Sequence, residues 1–113
     1  MSVKKLIMDT LTPLGVPVEF LTREDDGTFP FLVFNVTETP VDFSDDEEEG
    51  TLYLVSINIF SKPDYNFEVL KLEIIKAMKA AGFIKKIIPA TELMEKEQVY
   101  NQPMSFVYYA PTN

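Results

Sequence analysis

The chain contains no cysteine and no histidine. Without cysteine there is neither a disulfide framework nor a thiolate site, and the redox compartment stays open. Without histidine the chain lacks the side chain whose charge changes closest to neutral pH, which is also the commonest metal ligand. Ser-His-Asp and Cys-His catalysis are thereby excluded, as are the usual zinc sites. Only four glycines occur, widely scattered, so no glycine-rich phosphate loop can be assembled from neighbouring positions. Bases are also few. Lys4-Lys5 and Lys85-Lys86 are short pairs, and neither belongs to a basic stripe interleaved with aromatics of the kind that reads nucleic acid. No stretch approaches eighteen uninterrupted apolar residues, so no membrane span or membrane partner is expected. Lys4 and Lys5 come too early for the apolar core of a signal peptide, and the expected location is the cytoplasm.

What is present is enough for one domain and too little for two: 113 residues, 46% hydrophobic. A domain of this length buries roughly 65% of the surface its unfolded chain exposes, so it can fold without metal or disulfide. Its charge is concentrated. Asp42, Asp45, Asp46, Glu47, Glu48 and Glu49 place six acids within eight positions, in a chain of 18 acids, 10 bases and net charge −8. Without those six, twelve acids face ten bases and the remainder is nearly neutral at −2. Such a patch repels phosphate, attracts cations and basic partners, and discourages strand pairing at its own edge.

Val3, Leu6, Ile7, Thr10 and Leu11 recur at helical spacing behind Ser2, a candidate N-cap, with Lys4, Lys5 and Asp9 facing water. Pro13 and Gly15 close this helix. A short strand over residues 16–21 is expected at a sheet edge, because Pro17 cannot donate to a ladder. Asp25-Asp26-Gly27 carries a hairpin-type turn signal. The run from Phe31 to Val36 is almost continuously apolar, which implies a strand buried on both faces and ended at Thr39-Pro40. In the strand from Thr51 to Phe60, Tyr53, Val55, Ile57 and Ile59 share one face, while Leu52, Leu54, Ser56, Asn58 and Phe60 share the other. These two runs form a long antiparallel hairpin with the acids at its tip. Ser61 or Asp64 is the candidate cap of a second helix, whose apolar side carries Phe67, Leu70, Ile74, Ala77, Met78 and Ala81, with Gly82 as its stop. Residues 83–94 read as an irregular strand interrupted at Pro89, and 104–109 as a final alternating strand. The expectation is a single α+β domain spanning 1–113, in the order α-β-β-β-α-β-β. Two helices pack on a mainly antiparallel sheet of about four to five strands.

The acidic run has a plain reading, a solvated hairpin loop that keeps two hydrophobic strands soluble, and an electrostatic one, action against nucleic acid or a basic partner. A calcium loop is not supported: a register begun at Asp42 puts Glu47 where glycine is needed and Tyr53 where the bidentate glutamate belongs. Paired catalytic carboxylates need fixed separation and an apolar pocket for one partner, which acids clustered at a loop do not provide. Glu19 and Glu92 are lone acids and read as solvent-facing strand positions. No cofactor, no metal and no enzymatic activity are expected. Phe106, Tyr108 and Tyr109 put large groups on both faces of the last strand, which is therefore either central in the sheet or covered by another subunit, and the three are candidate interface residues.

One family pattern runs through nearly the whole chain. Phe29-Pro30-Phe31-Leu32-Val33-Phe34 is followed by Pro40-Val41-Asp42-Phe43-Ser44-Asp45-Asp46-Glu47, then Tyr53 to Ser61-Lys62-Pro63-Asp64-Tyr65. A helix ending Lys79-Ala80-Ala81-Gly82-Phe83 and the closing segments Glu92-Leu93-Met94-Glu95 and 100–109 complete it. In phrases and element order the chain resembles tail-completion or tail-terminator (head-tail joining) proteins of long-tailed bacteriophages and prophages. The resemblance implies a structural protein of virion assembly, cytoplasmic during assembly and finally in the tail or neck of the particle. It implies a homo-oligomeric ring, usually a hexamer, that caps the tail tube and meets the tail-tube and head-connector proteins. DNA would pass through the lumen without specific binding, and no catalytic residues carry over. The acidic loop would then either line that lumen or face a basic partner on the ring's outer or axial side. The rival reading is a small acidic phage-derived inhibitor or DNA mimic, against which the concentration of acids at one loop weighs.

Overall fold

A computed structural model describes residues 2–21, 29–42, 49–62 and 67–111. The first helix, α1 (Val3–Leu11), begins where Ser2 Oγ accepts the Lys5 backbone N–H at 3.2 Å, which satisfies one of the donors every helix start leaves open. On its wet side Lys5 Nζ donates to Asp9 at 2.8 Å, and that carboxylate holds the Lys5 pKa above its ordinary value. A 3-10 turn over Thr12–Leu14 follows and stops at Gly15, whose φ of +84° suits a residue without a Cβ. The chain continues through β1 (Val18–Phe20), β2 (Phe31–Asp42), β3 (Glu49–Ser61), α2 (Glu68–Ala80), β4 (Ile84–Ile87), β5 (Glu92–Met94) and β6 (Val99–Pro111). Gly82, at φ +100°, turns the chain out of α2. Among the described residues no helix is long and apolar enough to cross a membrane.

The fold is α+β, as the hydrophobic periods require, with six strands where four to five are expected. Their order in the sheet is β1-β2-β3-β6-β4, with β5 sharing the outer side of β6 with β4. All pairs are antiparallel except β1 with β2. That parallel pair corrects the hairpin reading of Asp25-Asp26-Gly27, which itself lies outside the described residues: parallel neighbours require the chain to return to the far end of the strand. The edge placement of the strand after Pro17 holds. Pro17 donates nothing but accepts the Leu32 N–H at 2.9 Å.

One face of the sheet carries the core. Leu32 and Phe34 of β2, Val55, Ile57 and Ile59 of β3, and Met104 and Phe106 of β6 meet Val3, Ile7 and Leu11 of α1 and Leu70, Ile74 and Met78 of α2. The β3 alternation falls as its period demands, with Tyr53 at the margin of this cluster. Among the described residues the other face of the sheet carries no helix. Phe31 and Phe60 stack there at 5.0 Å, yet both stay partly exposed, so the apolar run of β2 is buried on one face and half-covered on the other.

Three further expectations change. Ser61 ends β3 in the interior and does not cap α2, whose N-cap position is Phe67 without a side-chain cap bond, while Asp64 lies outside the described residues. β2 does not end at Thr39-Pro40 but runs to Asp42. The hydrogen bonds to β1, Leu32 N–H to Pro17 O and Leu21 N–H to Phe34 O, show that the even-numbered residues of β2 turn their backbone polar groups outward, away from β3. Pro40 therefore removes a donor from the free edge and none from the ladder with β3.

The interruption at Pro89 is a split into two strands. β4 pairs with residues 105–107 of β6 and β5 with 99–101, so β6 has no strand beside residues 102–104 on that side. Pro103 occupies this gap, where a missing N–H breaks no outer ladder, while pairing with β3 continues through it. Gln102 fills the gap from within. Its side chain, 1% exposed, donates from Nε2 to the Pro89 carbonyl at 2.8 Å and accepts from the Thr91 hydroxyl on Oε1. It thereby ties the β4–β5 link to the core. Gln102→Leu is expected to lower stability by about 1–3 kcal/mol. Hydrogen exchange should accelerate over residues 88–94 and stay unchanged at the β2–β3 pairing; uniform acceleration would show that Gln102 does not act locally.

Candidate functional site

Three strands outrun their helices. β2, β3 and β6 have 12, 13 and 13 residues, and burial on the helix side stops near Val36, Tyr53 and Tyr108. Beyond those positions the three strands continue past the helices as a ribbon, or arm, and the molecule measures 53 × 25 × 24 Å. Thr37, Glu38, Thr39 and Pro40 are exposed along the ribbon's β2 edge.

Of the acidic run, Asp42 and Glu49 are the last cross-strand pair of β2 and β3. Asp45, Asp46, Glu47 and Glu48 fall in the connection between them and lie outside the described residues.

Of the three aromatic residues near the C-terminus, Phe106 is 0% exposed and belongs to the core, so it offers no surface to a partner. β6 is central in the sheet, between β3 and the β4 and β5 pair. Tyr108 is half-buried, 4.9 Å from the Phe83 ring and 6.5 Å from Tyr53. Tyr109 is exposed on the open face together with Leu54. Its ring crosses to Gly50 on β3, two positions along the ladder: a Cβ there would lie 2.5 Å from the Tyr109 hydroxyl and 2.6 Å from the ring. Gly50 is thus the seat of an aromatic that closes the base of the acidic tip.

Two features have no signature in the sequence. A cavity of about 240 Å³ opens where the arm leaves the body, lined by Ser2, Val3, Lys4, Phe20, Val36, Glu38 and Tyr53. Lys4 Nζ sits 4.4 Å from the Phe20 ring centre there. The second feature is the pair of sheet edges left unpaired among the described residues, β2 beyond Phe34 on one side and β4 on the other. Edge position depends on strand order, which residue periodicity does not encode. The arrangement presents charge, an apolar open face and unpaired strand edges, the equipment of a protein that binds other proteins.

Gly50→Ala is expected to displace the Tyr109 ring at a cost of about 1 kcal/mol. In a double-mutant cycle with Tyr109→Ala, read by urea midpoints, the two penalties should not add; full additivity would place the ring elsewhere.

No protein-family model matches the sequence, and no curated protein matches it. The fold does have solved counterparts. A chain from the virion of a native gene transfer agent particle superposes with a TM-score of 0.59 at 12% identity, over 93% of this chain and 84% of that one. A second solved structure also gives 0.59, at 11% identity, over 98% of this chain and 94% of that one. At such identities the likeness is one of fold: this chain has the architecture of a protein found in a virion particle.

Proposed function

We propose that this chain is a non-enzymatic structural component of a phage-type virion, a tail-terminator or tail-completion protein. It acts as a ring between the tail tube and the head connector. The observation that carries the proposal is the match in fold, over nearly the full length of both chains, to a component of a gene transfer agent virion. The arm supports it. A three-stranded ribbon that outruns its helices leaves strand surface without a helix over it in an isolated monomer and gains cover when neighbours pack around it. Because the acidic run spans positions 42–49, where the sequence passes from β2 to β3, the arm would extend a negative tip from each subunit of the ring.

In this reading the tips line the lumen and keep passing DNA phosphates from adhering. The acids concentrate at one loop and are not spread along a surface at duplex-like spacing, which disfavours a DNA mimic. Light scattering with negative-stain imaging should show rings, alone or on added tail-tube protein, and the added chain should halt tube polymerisation. Continued tube growth under saturating chain would overturn the terminator role. Replacing Asp45, Asp46, Glu47, Glu48 and Glu49 with Ser should leave ring formation intact and impair DNA ejection; unchanged ejection removes the lumen assignment.

A further inference from the structure

Among the described residues, the outer edge of β2 beyond Phe34 has no strand beside it. By the alternation its bonds to β1 establish, Val36 and Glu38 direct both N–H and C=O outward and Pro40 its C=O. At the opposite side of the sheet, β4 is the other free edge, and every residue of its sequence Ile84-Lys85-Lys86-Ile87 is exposed. We propose that the free edge of β2 in one copy of this chain pairs with β4 of the next copy, so that the sheet continues from subunit to subunit, head to tail. The inference rests on the ring assembly proposed above and identifies the surfaces that build it.

Charge selects this pairing over the alternatives. Glu38 lies opposite Tyr53 and Lys85 opposite Phe106, so both project from the helix-bearing face and meet on one side of a continued sheet. Glu19 of β1 adds a second acid to the β2 side, against one base there, Lys4, whose Nζ lies over the Phe20 ring, while β4 adds Lys86 at its bulge and carries no acid. Two β2 edges brought together would oppose glutamate to glutamate, and two β4 edges lysine to lysine; only the mixed pairing is complementary. A heterologous contact of this kind closes into a ring or runs on as a filament, whereas self-pairing edges stop at a dimer.

Pro40, the bulge and the lysines could all be read as guards against aggregation. Guarding alone does not account for Ile84 and Ile87, 66% and 57% exposed at the very edge the lysines occupy. By register both isoleucines lie on the open face, where Thr37 and Thr39 of an incoming β2 edge would cover them. Like charges exclude the wrong edge, and the isoleucines reward the right one.

The test is charge reversal with exchange, followed by sedimentation velocity over a concentration series, with and without tail-tube protein. Glu38→Lys alone and the double variant Lys85→Glu, Lys86→Glu alone should each self-associate on the order of tenfold more weakly than the parent. Mixing the two variants should restore assembly, because each then offers the edge the other needs. All three positions are exposed, and unchanged circular dichroism checks that the variants fold. If both variants assemble as the parent does, or the mixture fails to recover, edge pairing is overturned while the ring stands. A parent chain that stays monomeric even with tail-tube protein overturns the ring and the pairing together.

Discussion

The organising constraint is a mismatch of lengths. Strands of 13 residues at about 3.3 Å per residue reach roughly 43 Å, whereas α2, also 13 residues, covers about 20 Å and the nine-residue α1 about 14 Å. The two helices therefore shield only part of one sheet face. Where they lie, Phe34, Ile57, Ile74, Met78, Met104 and Phe106 are fully or almost fully buried. Where they do not, the same strands continue into solvent. The arm, the open face and the free edges all follow from this shortfall.

Backbone defects are tolerated where the sheet has no partner to lose. Pro40 removes a donor on the outer side of β2, and Pro103 sits opposite the gap between β4 and β5. The Gln102 side chain then supplies in that gap the hydrogen bonds a strand would have made. Gly50 lacks the side chain that would block the Tyr109 ring. Each exception to strand propensity coincides with a place where strand order, not local sequence, sets the environment.

That division also explains what was legible in the residues. Periodicity located both helices, the long hairpin and the faces of β3, because burial against one layer imposes 3.6- and 2-residue repeats directly on the chain. Glycine placed both helix exits. The parallel β1–β2 pair was not legible, since a turn signal such as Asp25-Asp26-Gly27 says nothing about which strand comes next in the sheet. Phe106 and Tyr109 read alike as terminal-strand aromatics, yet one is core and the other surface. The even spacing from 104 to 108 assigns Phe106 to the same face as Met104 and Tyr108, but only the position of the helices says that this face is inside. The acids at 42–49 were conspicuous, whereas Glu38 and Lys85 gain meaning only from the two edges they occupy.

In the proposed assembly the two kinds of charge divide the work by position. Six of the chain's 18 acids fall within positions 42–49, so these segments brought together on a ring axis repel one another and cannot supply its cohesion. Cohesion has to come from the body, where the sheet offers one acidic and one basic edge with apolar flanks. The balance of the sequence fits that division: a remainder near neutrality once the six clustered acids are set aside leaves the body free to associate. Repulsion at the tips would then hold the centre open while pairing at the edges holds the subunits together. A ring and its lumen would emerge from one sheet that is longer than its helices.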